Sequence, residues 1–377
     1  MSIRSLLLIL GIVVASLGAA AFVLTREDRP DVTGLGLADA MRSDTTGFAL
    51  AIEPREFVFP ADHGPHPDFR TEWWYLTGNL AAVDPDAPEP AVPLIDLPFP
   101  DGRPFGFELT LFRVAASPPT VDTTDYGDWN TRQFYMGHFG VTDIAAEQFH
   151  ALERFSRAAG GLAGAQAYPF RVHLDDWAVE AGPDGLPQMR VYARQDGVAI
   201  DLLATPAKPM VLQGDRGLSQ KGREPGNASY YYSYTRLDAR GTFETPDAGV
   251  VDVRGQVWMD REWSTSALDD GQVGWDWFAL QLSDGRDLMV YQLRDRDGGA
   301  SALSKGTLVE VDGTSRTLRL DDFSVEYSGA IGRVGSIRRE RAGRSRTQRL
   351  GPLLGRRRSR RRWERTDRRR LRRDDGL

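Results

Sequence analysis

Hydrophobic and polar positions alternate with a period of two along most of the chain, which is the pattern of half-buried β-strands. Between residues 105 and 111, large apolar residues at every odd position alternate with small or polar ones. Comparable runs predict strands at Gln133–Asp143, Phe170–Val179, Gln188–Arg194, Ala199–Leu203, Tyr230–Leu237, Val250–Met259, Trp275–Leu282, Asp287–Arg294, Lys305–Val311 and Thr317–Tyr327.

Turn signals separate these runs. Asp284-Gly285 and Asp312-Gly313 each join two runs in the manner of a tight hairpin. One segment, 145–159, has Phe149, Leu152 and Phe155 at spacings of three and predicts a helix. Many short strands with few helices predict an all-β fold of sandwich or barrel type.

The first residues predict export. Arg4 precedes an apolar run that continues to residue 24, and small residues around Ala21 suit a cleavage site. The run is also about long enough to span a bilayer. Residues 1–24 are therefore a signal peptide or a membrane anchor, and we expect a periplasmic protein or one anchored and facing the periplasm.

Composition shifts divide the remainder. A polar linker covers residues 25–47, and a glycine-rich loop ending at residue 228 separates two groups of strands. We predict an N-terminal domain at 48–228, a C-terminal domain at 229–330 and an Arg-rich tail at 331–377.

Charge is distributed unevenly within the net −6. Residues 333–377 hold 19 Arg and 5 Asp or Glu, whereas the preceding chain carries a net −20. An acidic body argues against nucleic acid as a partner of the folded part. The tail lacks strand alternation; it is either a basic arm or the product of a frameshift in a GC-rich gene.

The chain has no cysteine, which excludes disulfides and zinc–thiolate sites. His63 and His66 lie in a Gly/Pro-rich turn with Asp62 and Asp68. A metal site is one interpretation, but Gly and Pro prevent a shared helix face. We favour a turn whose polar side chains satisfy local backbone groups, and we predict neither a metal nor a cofactor.

Asp260 is the sharpest candidate for chemistry. Its strand places valines and Met259 on one face and Trp258, Asp260 and Glu262 on the other. If that second face lines an apolar barrel interior, burial would raise the pKa of Asp260 and suit it to donate a proton. The alternative is an ion pair with Arg254 or Arg261 that closes the strand end.

Other side chains fit a pocket or a polar core equally well. His138 lies among apolar neighbours, as a core histidine or a pocket residue. Tyr230 and Tyr232 share one strand face, and Asp276 between two tryptophans needs a partner such as an arginine across the sheet.

Several long motifs occur in a fixed order. They lie at Asp62–Gly64, Arg70–Tyr75, Gly137–Phe139, Glu153–Arg157, Leu212–Asp215, Gly226–Ser233, Trp258–Ser264 and Gly274–Phe278. Together they resemble the carotenoid 1,2-hydratase superfamily, also described as secreted lipocalin-like proteins with an attachment-type (Att-type) domain. The likeness spans about residues 50 to 330.

This resemblance implies two lipocalin-like β-barrel or sandwich domains, the second incomplete. It also implies an Asp that protonates a terminal isoprenoid double bond, and Asp260 matches that Asp. The hydratases proper read Tyr-His-Asp-His-Asn-Trp here, whereas this chain reads Trp-Met-Asp-Arg-Glu-Trp from Trp258 to Trp263. The sequence therefore looks more like the exported branch named "predicted secreted hydrolase".

We predict an exported protein that binds an extended hydrophobic ligand, an isoprenoid or another lipid, and hydrates a C=C bond with Asp260 as the catalytic residue. The predicted ligand-binding residues are Trp73, Trp74, His138, Tyr230, Tyr232, Trp258, Trp275 and Trp277. The main alternative is a non-catalytic lipid-binding or accessory protein of an envelope transporter. A hydrolase has less support, since no serine lies in a G-x-S-x-G motif.

Overall fold

The structure is a computed structural model that describes residues 45–84, 102–120, 131–266, 268–269, 271–328, 331–341 and 344–349, with the backbone alone from residue 326 onward. The predicted signal peptide or anchor at 1–24 lies outside these residues, as do most of the predicted linker and residues 350–377. Within the described ranges, no helix combines the length and apolarity needed to cross a membrane.

The described chain consists of β-strands with short 3-10 turns at Ala61–His63 and Leu320–Asp322. The strands are β1 (Thr71–Ala82), β2 (Pro104–Ala115), β3 (Gln133–Asp143), β4 (Gln148–Arg157), β5 (Ala163–Ala167), β6 (Phe170–Leu174), β7 (Trp177–Ala181), β8 (Met189–Gln195), β9 (Val198–Pro206), β10 (Val211–Leu212), β11 (Leu218–Gln220), β12 (Ala228–Thr245), β13 (Gly249–Ser264), β14 (Gln272–Gln281), β15 (Asp287–Asp295), β16 (Lys305–Val309), β17 (Ser315–Arg319), β18 (Phe323–Ser328), β19 (Ile331–Arg341) and β20 (Arg344–Arg349).

Thirteen of these described strands form one antiparallel sheet, here called the large sheet. Its order is β4-β3-β2-β1-β13-β12-β9-β8-β7-β6-β5, and β10 and β11 pair with β12. The sheet curls until its ends approach each other: the Arg154 guanidinium of β4 lies 4.5 Å from the Trp177 ring of β7. A Cβ atom on Gly137 would lie 2.9 Å from Leu174 and Trp177, so glycine permits this closure.

The curled sheet encloses a packed core. Its inner face, which carries Val253, Val257 and Met259 on β13, contributes to one cluster of buried side chains. Trp74, Trp177, Trp263, Phe105, Phe139 and Phe243 are among the largest fully buried side chains. The predicted all-β fold of lipocalin-like barrel or sandwich type is therefore confirmed, and side chains of this cluster pack its interior.

Segment 145–159 forms the edge strand β4 instead of the predicted helix. Exposed and half-buried residues alternate along it, and Phe149 and Phe155 are 49% and 63% exposed. The spacing of three was misleading because these two rings lie on the solvent side of a strand, while Leu152 packs on the core.

A four-stranded sheet, β14-β15-β16-β17, follows after Ser264, and β18-β19-β20 form a three-stranded sheet. The predicted hairpins occur in the first of these: Gly285, at φ +80°, joins β14 to β15, and Gly313, at φ +85°, joins β16 to β17.

The predicted domain boundary after Ala228 lies at the start of β12, within the large sheet. Strands β19 and β20 fall inside the Arg-rich segment, where the sequence gives no strand alternation.

A buried ion cluster joins the large sheet to the four-stranded sheet. Asp287 accepts hydrogen bonds from Arg236 at 2.6 Å, from Lys208 at 2.8 Å and from Thr235 at 2.9 Å. Lys208 also donates to the carbonyl oxygens of Gly285 and Glu310. The three donors satisfy a carboxylate that is fully buried.

We expect Lys208→Met to lower the free energy of unfolding by about 1.5–3 kcal/mol, because it removes charge-assisted hydrogen bonds while Arg236 still neutralises Asp287. Urea unfolding followed by tryptophan fluorescence measures the loss. Lys305→Met, the same substitution at a half-buried lysine, is the matched control. Equal midpoints for Lys208→Met and the wild type would contradict the expectation.

Candidate active site

The Asp260 carboxyl group lies on the outer face of the large sheet, the face of β13 that also carries Trp258 and Glu262. It is only 3% exposed. Its Oδ1 accepts hydrogen bonds from Ser233 Oγ at 2.6 Å and from Trp258 Nε1 at 2.7 Å, and the Tyr231 hydroxyl is a further donor. Burial raises the pKa of Asp260 to about 6 against the effect of these donors. The group therefore exchanges its proton near neutral pH.

A chain of hydrogen bonds from the four-stranded sheet fixes the direction of the Ser233 donor. Thr307 Oγ1 donates to Gln213 Oε1 at 2.6 Å, and Gln213 Nε2 donates to Ser233 Oγ at 2.8 Å. Because the serine oxygen already accepts a proton from Gln213, its own proton points to Asp260. The acid is thus oriented by both sheets.

Aromatic rings surround the acid. Trp258 and Trp277 meet edge to face with centroids 6.3 Å apart, and Tyr75 meets Trp277 at 5.1 Å. Trp258 is buried, whereas Trp277 is only half-buried. This side of the site therefore borders the surface at the Trp277 indole.

A lysine completes the cluster. Lys221 Nζ contacts Glu262 Oε1, which also accepts a hydrogen bond from Ser229. The ammonium lies 5.6 Å from the ring centres of Trp73 and Tyr231 and 6.0 Å from that of Tyr291. Burial lowers the pKa of Lys221 to about 7, and the charge of Asp260 opposes this shift.

Strand register places a row of side chains on the outer face beside Asp260. Its members, directly paired across β12, β13, β1, β2 and β3, are Ser233, Asp260, Tyr75, Thr110 and His138. With about 4.8 Å between strands, His138 lies roughly 14 Å from Asp260. The row runs from the buried acid to the half-buried His138.

The opposite, inner face carries a separate ion network. Glu72, fully buried, contacts the guanidinium groups of Arg113 and Arg261 and accepts backbone hydrogen bonds from His66 at 3.1 Å. The His66 ring stacks on Trp263 with centroids 3.8 Å apart. Burial disfavours the charged form of Glu72, but the two arginines hold its pKa well below the usual range.

His63 belongs to the same inner network. Its Nδ1 lies 2.6 Å from the Tyr232 hydroxyl, and its carbonyl oxygen accepts a hydrogen bond from Trp74 Nε1 at 2.8 Å. Burial and the Arg261 charge lower the pKa of His63 to about 4. The polar turn is therefore bound to the barrel core. The prediction named local backbone groups as its partners, whereas His63 contacts residues that are distant in the sequence. Among the described residues, no three His, Asp or Glu side chains are grouped to hold a metal ion.

Two expectations for Asp260 were wrong. The face of β13 that carries Asp260 does not line the barrel interior, since the interior lies on the opposite, valine-bearing face. The four-stranded sheet covers Asp260 instead. Nor does Asp260 pair with Arg261, whose guanidinium reaches Glu72 on the inner face. Arg254 lies six residues away along the strand, roughly 20 Å, and Lys221 is the nearby cation.

The structure divides the predicted ligand-binding residues between the two faces. Trp73, Trp258 and Trp277 gather around Asp260, with His138 in the same row. Trp74, Tyr230 and Tyr232 lie on the inner face instead. Trp275 shares its face of β14 with Trp277, and Asp276 on the other face pairs with Arg294 at 3.6 Å, the arginine partner predicted for it.

Three residues of the cluster escaped the sequence reasoning: Lys221, Tyr231 and Ser233. Lys221 had a signal, since it is one of three lysines in a chain with 44 arginines. Tyr231 and Ser233 had none, because only strand register decides which face of β12 meets Asp260.

The described residues also line two open grooves away from Asp260. One, of about 510 Å³, includes Phe57, Phe59 and Arg55; the other, of about 450 Å³, includes Arg190, Asp201 and Arg240. Neither groove is lined by Asp260.

Comparison with known proteins identifies relatives of this fold. The AttH-like family model matches residues 50–92 and 94–333. The crystal structure of an AttH protein from Nitrosomonas europaea is 29% identical, with a TM-score of 0.62, over 77% of this chain and 83% of that chain. Kievitone hydratase from Nectria haematococca is 12% identical, with a TM-score of 0.47, over 78% and 81%.

CghA in complex with Sch210972 is 12% identical, with a TM-score of 0.41, over 72% of this chain and 68% of that chain. No curated protein matches. The family match confirms the predicted resemblance to proteins with an Att-type domain. Since the match covers most of the sequence, the chain belongs to the AttH-like family.

Proposed function

We propose that the protein binds an extended apolar ligand, an isoprenoid or another lipid, along the outer-face row and hydrates one of its C=C bonds with Asp260 as the acid. One observation carries the proposal: a carboxyl group with a pKa of about 6 is buried among indole and phenol rings. Such a group gives up a proton where water is scarce.

Hydration of the double bond requires only the side chains of this site and one water molecule. Asp260 transfers its proton to the less substituted carbon, and the π electrons form the new C–H bond. The faces of Trp258 and Trp277 stabilise the resulting tertiary cation. Water then forms a C–O bond and returns a proton to the Asp260 carboxylate, which restores the acid.

The row supports an extended rather than a compact ligand. From His138 to Asp260 it extends roughly 14 Å across four strands, and it crosses Tyr75 and Thr110, which are buried. Asp260 is 3% exposed, so the half-buried Trp277 indole must shift to admit a double bond.

Incubation of the protein with squalene in water enriched in oxygen-18 tests the proposal. We expect a labelled tertiary alcohol, detected by mass spectrometry. Squalene that binds without acquiring label would favour the alternative, a non-catalytic lipid-binding or accessory protein of an envelope transporter. Squalene that neither binds nor reacts, with no lipid co-purifying from native envelopes, would remove both proposals.

We expect hydration to depend on pH through Asp260. The reactive form is the protonated one, so kcat/KM should be highest below pH 6 and fall as pH rises through about 6. Initial rates of alcohol formation across this range measure the profile. A rate that rises with pH there would contradict proton donation by Asp260.

We propose in addition that the protein acts outside the cytoplasm, on the strength of its apolar N-terminal run. Fractionation of native cells tests this. Recovery in the cytoplasmic fraction would contradict export.

A further inference from the structure

Lys221 places a positive charge beside two carboxyl groups but touches only one of them. Its ammonium contacts Glu262 and lies over the rings of Trp73, Tyr231 and Tyr291. Glu262 and Asp260 are two residues apart on the same face of β13, which separates their Cα atoms by roughly 6.6 Å. The ammonium is therefore near Asp260 without being paired with it.

The charges around Asp260 leave one carboxyl in excess. The ionisable groups that face it from the described elements are Lys221, Glu262, Tyr75, Tyr231 and Tyr291. Burial raises the pKa of Tyr231 well above its usual value and that of Tyr291 to about 12. These two phenols are neutral, and Lys221, whose pKa burial lowers to about 7, is charged below that pH. In that range one cation meets two carboxyl groups in a buried cluster.

We propose that Glu262 is a positioning residue that engages the Lys221 ammonium and thereby leaves Asp260 as the carboxyl that takes up a proton. This inference rests on the proposed function in that Asp260 is the acid. Glu262 forms the direct ion pair and accepts the Ser229 hydrogen bond, and both contacts favour its charged form. Asp260 has no such pair: its hydrogen bonds come from neutral donors, and the Lys221 charge acts on it only from a distance.

The choice of lysine fits this role. Lys221 is one of only three lysines beside 44 arginines. An ammonium is a compact point charge, whereas a guanidinium carries five donors in a planar fork and can bridge two carboxylates. An arginine at this position would reach Asp260 as well as Glu262 and keep both ionised.

The proton on Asp260 can be followed without a substrate. Infrared spectra recorded over a pH titration contain a protonated-carboxyl band, which Asp260→Asn assigns by its loss. We expect Glu262→Gln to lower the Asp260 midpoint by at least one pH unit, because the freed ammonium then pairs with Asp260. Lys221→Met should raise the midpoint by at least one unit.

Controls separate this role from a structural one. Asp276→Asn, a half-buried acid on the far face of β14, should leave the Asp260 midpoint unchanged. Should Glu262→Gln fail to fold, Lys221→Arg provides the same test and should lower the midpoint. A midpoint that stays at the wild-type value in the folded Glu262 and Lys221 variants overturns the inference. If the midpoints shift but squalene is not hydrated, the inference about Glu262 stands and only the hydratase proposal is excluded.

Discussion

Asp260→Asn is expected to lower kcat for squalene hydration by roughly 10²–10⁴-fold, the usual contribution of a general acid. Asparagine has nearly the same shape and still accepts hydrogen bonds from Ser233 and Trp258, so we expect the fold and squalene binding to persist. Initial rates of labelled alcohol formation measure the first effect, and quenching of tryptophan fluorescence measures the second.

The matched control is Asp276→Asn. Asp276 is another carboxyl among tryptophans, but it pairs with Arg294 on the far face of β14. We expect turnover in this variant to stay near that of the wild type. Undiminished turnover in Asp260→Asn would exclude Asp260 as the proton donor.

Glu72→Gln is expected to lower the free energy of unfolding by about 3–5 kcal/mol, because it leaves Arg113 and Arg261 as buried charges without their shared partner. The carboxylate is fully buried, so no solvent can replace it. Urea unfolding gives the loss as a shift in midpoint at constant slope.

Glu153→Gln serves as the control for Glu72→Gln, since Glu153 is an exposed glutamate on β4. We expect it to change stability by less than about 0.5 kcal/mol. The sign of the pH effect follows from the depressed pKa of Glu72: its stabilisation is present above the pKa of an unfolded glutamate and is lost only in strong acid. A loss below about 1 kcal/mol in Glu72→Gln would contradict the assigned network.

Strand positions could be predicted well where alternation and turn residues agree. The predicted strand Gln133–Asp143 coincides with β3, and the hairpin at Gly285 lies where a positive φ was required. The spacing of three predicts a helix for the edge strand β4 because it assumes that all its large apolar residues face the core. Two of its phenylalanines are exposed instead. Tertiary context, absent from a local pattern, decides such segments.

Asp260 could be singled out from the sequence as the candidate acid, but its surroundings could not be predicted. Asp260 was found from its own strand and from a family resemblance. Its contacts with Ser233, Tyr231 and Lys221 depend on which strands pair and in what register, and those pairings join distant parts of the chain. A shift of one residue in β12 would have brought Tyr230 and Tyr232 to the acid instead.

The pairing of β1 with β13 also has a consequence for biogenesis. Thr71 lies beside Ser264 in the finished sheet, so the ladder between β1 and β13 cannot be completed until residue 264 has been synthesised. Such distant pairing slows folding. A nascent chain that ends before β13 therefore lacks both Asp260 and the strand that pairs with β1, and the outer-face site is assembled only late in synthesis.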